Sequence, residues 1–340
     1  MRYIIIGNDL YFQFPSVSYC AENKYIENLA ENLHSNNIDF YCIVPFNTKK
    51  QDNNYPFKIY YTEEYPTLYT KKSQAKYAID CRKIIRENYQ KGDIILSTGE
   101  WSSQFFFDLK IPMIITIFRE CEDNILKSQI LNWDHIKYRF LTKYHYTGWK
   151  EIKWLKNHKL ILSPGIEKDN LDIEIDNKYN YYLFIITNSE QYNYLTALFN
   201  IINNGIYMNI VSLINCDFEK KITSNSKYLN FYTLDSFNKL DPYIKYAKGC
   251  FISSNEYFQH LHFNYSAAKC MQYNTPVISL YESDNVIKEI CKSRLYVLNN
   301  ELTNFTEIND KIGKIDRTIE TEPDKFSVKN ELKILSELFN

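Results

Sequence analysis

The stretch FNYSAAKCMQYNTPVIS, residues 263–279, predicts a short helix that runs directly into a buried strand. We expect the helix over 265–273 and the strand over 276–280, where a β-branched run follows the proline. Asn264, which stands at the start of this helix, is of a residue type preferred as a helix N-cap. A strand is also expected over 249–253, so the stretch belongs to a strand-helix-strand unit of the kind that builds parallel sheets.

The same alternation extends through the rest of the second half of the chain. Further strands are expected over 181–187, 208–214, 228–232 and 295–298. Helices are expected after residue 187, near 237–246 and near 284–292. A last helix, over 326–339, places its apolar residues on one face, which predicts that it docks at the end of the chain.

The first half shows an equivalent pattern. Its strands are expected over 2–6, 39–44, 57–62, 93–97, 113–118 and 158–162. Helices are expected from residue 22 and over 72–90, and the stretch 124–157, rich in Trp and Tyr, is interpreted as helical. Ser163-Pro164-Gly165 is the best candidate for a break between the two halves.

This order of elements predicts an α/β protein with two Rossmann-like, doubly wound domains that face a cleft. The length of 340 residues agrees with two domains, here residues 1–165 and 166–340, the second ending in the docked helix. Ligands of open parallel sheets bind beyond the carboxyl ends of the strands. We therefore expect the chemistry in the cleft between the halves.

Composition excludes several classes of function. The 40 basic and 41 acidic residues give a formal charge of −1, unlike the basic footprint of a nucleic-acid binder. The eight cysteines form no CxxC pair and are interpreted as reduced core thiols, which indicates the cytoplasm. We find no signal peptide, membrane span, Walker loop, GxGxxG motif or metal-ligand set, and expect neither a metal nor a cofactor.

Several motifs together resemble the GT-B glycosyltransferases, most of all the retaining, family-4-like group (glycosyl transferases group 1). In the first half they are YFQFP at 11–15 with the helix and strand after it, GDIILSTGEW at 92–101 and IPMIITIFRE at 111–120. In the second they are KLILSPGIEKDNL at 159–171, YYLFIITNSEQYNYLTAL at 181–198, GCFISSNEYF at 249–258 and QYNTPVIS at 272–279.

The resemblance implies a GT-B fold and a transfer of sugar from a UDP- or GDP-sugar, the substrate, to a glycan, lipid-linked or protein acceptor. It also implies retention of configuration, independence of metal and a role in cell-surface polysaccharide biosynthesis. Some family features are replaced. Thr187-Asn188 and Asn193 stand where the family carries its Arg and Lys for the diphosphate, and Ser16–Ser18 replace paired glycines.

The two donor-site glutamates of the family can be placed in two ways. Counting back from Pro276 puts Leu261 and Lys269 at their positions, whereas counting forward from Ser253 makes Glu256 the first of them. Lys269 cannot accept a hydrogen bond from a ribose hydroxyl, but it could meet a phosphate. The alternative interpretation of Lys269 is a partly exposed lysine on an amphipathic helix.

The candidate site residues fall into three groups by expected role. The catalytic candidates are Glu256 and Glu120, the donor-binding candidates are Asn188, Asn264, Ser266 and Lys269, and the acceptor-side candidates are Glu100, Trp101 and Arg119. Each has a structural alternative: Glu256 as a solvated loop residue, Asn264 and Ser266 as ordinary capping residues, and Glu120 as a salt-bridge partner of Arg119.

Two functional hypotheses remain open at this point. The first is a cytoplasmic glycosyltransferase, with peripheral attachment to the inner membrane face left open. The second is a non-catalytic GT-B module that binds a glycan or scaffolds a synthase. We favour the enzyme, although the fold by itself does not determine activity.

Overall fold

The computed structural model describes residues 1–7, 21–46, 55–64, 71–98, 103–118, 130–166, 168, 180–187, 191, 194–213, 227–234, 237–253, 263–280, 285–299, 303–318 and 325–339. The chain divides into two compact units. The first consists of Met1–Glu167 together with Asp324–Asn340, and the second of Lys168–Pro323. The first boundary, between Glu167 and Lys168, lies two residues beyond the expected end of the N-terminal domain at residue 165.

The first unit is built on a seven-stranded parallel sheet. Its strands are β1 (Tyr3–Ile6), β2 (Phe40–Phe46), β3 (Lys58–Glu64), β4 (Ile94–Thr98), β5 (Met113–Ile117), β6 (Ile136–Phe140) and β7 (Lys159–Ile161). They are arranged in the order β3-β2-β1-β4-β5-β6-β7. The central strands are wholly buried, as the continuous apolar sequence YIII of β1 requires of a sheet covered on both faces.

The helices of the first unit connect these strands. They are α1 (Ala21–Ser35), α2 (Lys71–Asn88) and α3 (Lys143–Thr147), with 3₁₀ turns at Gln104–Leu109 and Lys153–Asn157. The apolar face of α1 is buried, including Ile26, Leu29 and Leu33. Helix α1 and helix α2 agree with the predictions from residue 22 and over 72–90 to within a few residues.

The prediction that residues 124–157 are helical is wrong for β6, a strand that lies within this stretch. The sequence IKYRF of β6 carries two basic residues, which conceal its strand character. Three of its side chains, Ile136, Tyr138 and Phe140, alternate into the core, as expected of a strand. Arg139 points to the other face and is also fully buried, because an acidic partner far along the chain neutralises it.

The second unit contains a six-stranded parallel sheet in the order β10-β9-β8-β11-β12-β13. Its strands are β8 (Tyr182–Ile186), β9 (Met208–Ser212), β10 (Leu229–Thr233), β11 (Gly249–Ser253), β12 (Val277–Leu280) and β13 (Leu295–Leu298). Its helices are α4 (Leu195–Asn203), α5 (Asp241–Tyr246), α6 (Tyr265–Gln272), α7 (Asn285–Cys291) and α8 (Phe305–Ile312). All six strands were predicted, whereas α8 was not.

The last helix, α9 (Val328–Glu337), packs with the first unit and not with the second, where the sequence analysis placed it. Glu331 is the reason. Its Oε1 lies 2.6 Å from Nη1 of Arg139, and its Oε2 accepts a 2.7 Å hydrogen bond from the amide of Gly165. The amide of Ile166 also donates to the carbonyl of Phe326, at 2.9 Å. The end of the chain is thereby fixed beside the segment that leaves the first unit.

The predicted fold class is confirmed: each unit is a doubly wound, parallel α/β layer structure. In both sheets the first strand of the unit is central, with β1 between β2 and β4 and β8 between β9 and β11. The chain reverses its direction of winding at these positions. Within the described ranges, no helix has the length and apolar character needed to cross a bilayer.

Candidate functional site

The candidate site lies at the carboxyl edge of the second sheet, where winding reverses between β8 and β11. In open parallel sheets this reversal leaves a crevice, because the two connections depart toward opposite faces. Three residues mark the strand ends. Thr187 follows β8, Ser212 ends β9 opposite Ile186, and Ser253 ends β11 opposite Leu280.

The connection after β8 is held by a glutamine that the sequence analysis did not select. Gln191 is buried, and its Oε1 accepts hydrogen bonds from the Thr187 amide at 2.5 Å and the Thr187 hydroxyl at 3.2 Å. These two bonds fix the point at which the chain leaves the sheet. A polar residue five positions beyond the strand end was the available signal, but many loop residues share it.

Helix α6 begins at the same edge, after the connection from β11. Its N-cap is Asn264, whose backbone is extended and whose Oδ1 accepts a 2.8 Å hydrogen bond from the Ala267 amide. The carbonyl of Asn264 accepts the first intrahelical bond, from the Ala268 amide at 3.1 Å. The amides of Tyr265 and Ser266 precede that bond, so they belong to the helix end that attracts anions.

Asn264 and Ser266 therefore lie at the predicted place, and the structure assigns Asn264 the capping role that the sequence analysis left as an alternative. Capping and anion binding are compatible, because the cap uses one amide of the first turn. Ser266 is half-buried and lies one residue inside the helix. Its place there would bring both its hydroxyl and its amide near an anion that approaches the helix end.

Lys269 differs from its prediction. We expected its side chain to be at least partly exposed, but the residue is only 2 % exposed. Its Nζ forms a buried ion pair with Oδ1 of Asp241, at the start of α5, and lies 5.4 Å from the centre of the Phe237 ring. Burial and neutralisation by a carboxylate make Lys269 a link between α5 and α6 and remove it as a ready cation for phosphate.

Further contacts strengthen the link between these two helices. The hydroxyl of Tyr273 donates to Oδ2 of Asp241 at 2.7 Å, so both oxygens of the carboxylate have partners. Arg317 donates to the carbonyls of Ala247 at 2.7 Å and Tyr273 at 3.3 Å. These contacts fix the positions of α5 and α6. They thereby hold the first turn of α6 at the sheet edge.

Six of the nine predicted site residues lie outside the described residues: Glu256, Glu120, Asn188, Glu100, Trp101 and Arg119. Their roles stay predictions. Strand β11, which precedes the stretch that contains Glu256, ends at Ser253 on the candidate edge of the sheet. The strands that precede Glu100 and Arg119 are likewise β4 and β5 of the first sheet.

The described residues contain neither a metal-ligand cluster nor an exposed thiol. No group of three or more His, Cys, Asp or Glu side chains in this part of the chain is arranged to hold a metal ion. The cysteines it contains, Cys42, Cys81, Cys250, Cys270 and Cys291, are free and buried. Burial raises the pKa of Cys250 well above the usual value, and the neighbouring Cys270 raises it further. These thiols are core residues and not nucleophiles.

No protein-family model matches the sequence, and no curated protein matches it. Solved structures do match along nearly the whole chain, and they define the class of fold: both doubly wound units together form the GT-B fold. The family-4-like resemblance within that fold has no family model to support it.

Three of the matching structures show the range of proteins with this fold. UDP-GlcNAc 2-epimerase from Methanocaldococcus jannaschii has a TM-score of 0.66 at 13% identity, with 99% of each chain covered. HepE of Anabaena, in complex with UDP and glucose, has a TM-score of 0.65 at 10% identity, covering 99% of this chain and 100% of that one. Sucrose-phosphate synthase from Thermosynechococcus elongatus has a TM-score of 0.62 at 12% identity, with 100% and 95% covered.

Proposed function

We propose that the chain is an enzyme that binds a nucleotide sugar, with UDP as the favoured nucleotide, and transfers the sugar to an acceptor. The observation that carries this proposal is the first turn of α6 at the reversal point of the second sheet, capped by Asn264. Structures of similar fold support UDP as the nucleotide. HepE is in complex with UDP and glucose, and the M. jannaschii epimerase has also been solved with UDP-GlcNAc and UDP.

The diphosphate is expected at the amides of Tyr265 and Ser266. A helix N-terminus carries a partial positive charge and unpaired N–H groups, which together stabilise an anion. As the bond between sugar and diphosphate breaks, negative charge accumulates on the leaving phosphate. Donors that already point at that position lower the barrier without reorganisation. This mode of catalysis needs no metal.

The remaining parts of the proposed mechanism depend on predicted residues outside the described ranges. Glu256 is proposed to orient the donor sugar, with Asn188 beside the diphosphate, and Glu120 to act on the acceptor. Glu100, Trp101 and Arg119 are proposed to hold a glycan, lipid-linked or protein acceptor. Retention of configuration and a role in cell-surface polysaccharide biosynthesis are carried by the family resemblance.

Epimerisation of a UDP-sugar is a second candidate function, because several matching structures are UDP-GlcNAc 2-epimerases, with TM-scores of 0.60–0.66. The two activities give different products. A transferase, or its slow hydrolytic side reaction, releases UDP, whereas an epimerase changes the sugar. The non-catalytic module is the third outcome, in which UDP binds and no product forms.

The experiment combines a titration with a product assay. UDP is titrated calorimetrically into the unaltered protein and into Ser266→Asp, which places a carboxylate in the first turn of α6. A carboxylate there favours the helix itself but repels a diphosphate, and the expected loss of affinity is about tenfold to hundredfold. UDP release and sugar epimerisation are then measured with UDP-glucose, UDP-GlcNAc and GDP-mannose.

Thr306→Asp is the matched control. Thr306 occupies the same position in α8, which has the same length as α6 and also begins after an asparagine. The control should bind UDP as the unaltered protein does. The proposal of a nucleotide-sugar site at α6 is wrong if no UDP binds at millimolar concentration, or if both variants bind equally well.

A further inference from the structure

A row of lysines lines the outer side of the first unit near its edge strand β7. Lys150, Lys153, Lys156 and Lys159 recur at every third position, and all four are exposed. Lys153 and Lys156 belong to the 3₁₀ turn Lys153–Asn157, in which residues three apart stand one above the other. The spacing therefore places these two charges on the same side of the turn.

The row is part of rigid structure. Trp149 and Leu155 are fully buried and fix the backbone of the row to the core of the first unit. The Nδ1 atom of His158 lies 3.1 Å from the carbonyl of Ile136, and the Tyr138 amide donates to the carbonyl of His158 at 2.8 Å. The buried side of this segment is thus specified by packing, and its lysines are held outward.

The charge of this region differs from that of the whole chain. Residues 130–161 contain seven basic and two acidic side chains, whereas the full chain has a formal charge of −1. Of the seven, Arg139 is buried with Glu331, and the lysines remain at the surface. Among the described residues, no carboxylate lies within ion-pair distance of Lys150, Lys153 or Lys156.

Apolar side chains lie beside the end of the row. Leu131 is 39% exposed and Trp133 is 36% exposed. The carbonyl of Trp133 accepts a hydrogen bond from the Ile136 amide, so both residues stand at the start of β6. Lys137 in β6 donates to the carbonyl of Asn157 at 3.5 Å, which places the start of β6 next to the end of the lysine turn.

We propose that this surface, the lysine row with Leu131 and Trp133, docks the protein on an anionic lipid membrane. The lysines match the negative potential of such a membrane, and each lysine near its surface strengthens binding about fivefold. Tryptophan prefers the boundary between lipid headgroups and acyl chains, which gives the exposed Trp133 a place in the same contact. A partner that binds through charge alone, such as a nucleic acid, would not account for the exposed apolar side chains of Leu131 and Trp133.

Binding of the full chain to vesicles tests the proposal. The protein is sedimented with vesicles of phosphatidylcholine containing about 30% phosphatidylglycerol, and with vesicles of phosphatidylcholine alone. We expect binding to the anionic vesicles, weakened by salt because the charges are solvent-exposed. The triple variant Lys150→Glu, Lys153→Glu, Lys156→Glu should lose at least about a hundredfold in affinity, as three fivefold factors multiply.

The matched control reverses three exposed lysines elsewhere, Lys288→Glu, Lys314→Glu and Lys333→Glu, and changes the net charge equally. It should bind more tightly than the first triple variant by at least tenfold, and Trp133→Ala should bind more weakly than the unaltered protein. The proposal is overturned if the protein ignores anionic vesicles, if both triple variants lose binding equally, or if it binds DNA or heparin but no vesicle. UDP titration of the same variants keeps this result separate from the proposed enzyme activity, since none of these residues lies at the α6 site.

Discussion

Replacing Glu331 by glutamine should strongly destabilise the first unit. The Glu331 side chain is 1% exposed and that of Arg139 is 0% exposed, so their ion pair is shielded from water. Arg139 also donates to neutral groups: its Nε donates to Leu162 O and its Nη2 to Ser163 O, both at 2.9 Å, and its Nη1 to Tyr25 Oη at 2.7 Å. Glu331→Gln therefore removes the carboxylate and leaves the guanidinium charge buried.

The expected magnitude follows from this burial. Removing one partner of a buried pair costs about 3–5 kcal/mol, because the remaining charge is desolvated without compensation. For a unit of this size, each kcal/mol lowers the melting temperature by about 2–4 °C, so a decrease of about 10 °C is expected. Calorimetry and urea unfolding of the full chain measure it. Replacing the pair together, with Arg139→Met and Glu331→Leu, should restore part of the loss.

Glu307→Gln is the control for this prediction. Glu307 also forms a 2.6 Å ion pair, with Lys311, but its side chain is 67% exposed. Because water screens this exposed pair, its loss should leave the free energy of unfolding almost unchanged. If Glu331→Gln proves as mild as Glu307→Gln, the contacts of Glu331 with Arg139 and Gly165 do not hold α9 to the first unit as described.

Other predictions concern the second unit and the effect of pH. Lys269→Met should destabilise the protein by about 3–5 kcal/mol, because it leaves the buried carboxylate of Asp241 without its cation. A variant that stays stable but loses affinity for UDP would instead support the hypothesis that Lys269 binds phosphate. Asn264→Ala should cost about 1 kcal/mol in urea unfolding through loss of the cap, and a neutral result would contradict the cap geometry. The Cys250 thiol should react with a disulfide reagent only after denaturation, since burial raises its pKa, and fast native labelling would refute this burial. Burial raises the pKa of Tyr3 from 10.0 to about 12, so its contribution to stability should be intact below pH 10 and lost as the pH rises toward 12. The free energy of unfolding, measured as a function of alkaline pH, should therefore fall less in Tyr3→Phe than in the unaltered protein, and an equal fall in both would contradict this prediction.

The parts of the fold predicted from sequence are those with a local signal. The apolar run YIII of β1 and the helix-strand stretch at 263–279 each carry their own periodicity, and the structure contains both elements. Strand β6 lacked such a signal because Arg139 lies within it. A buried arginine can be recognised only with its partner, and Glu331 is 192 residues away in sequence.

The candidate site shows the same limit. The position of Asn264 before α6 was predicted because capping is a local property of the chain. The environment of Lys269 was not predicted, because its partner Asp241 lies on another helix, 28 residues earlier, and no sequence spacing predicts that pair. For the same reason the sequence placed α9 with its nearest neighbours in the chain, while Gly165 and Arg139 hold it in the first unit.

The central claim is that a nucleotide diphosphate binds at the first turn of α6, and amide hydrogen exchange of the full chain with and without saturating UDP tests it most directly. We predict slower exchange on UDP binding at Tyr265 and Ser266, because their amides lie where the diphosphate is proposed. The first turn of α8, at Thr306, should exchange equally in both states. Unchanged exchange at Tyr265 and Ser266 under saturating UDP, or protection confined to the first unit, would contradict the account.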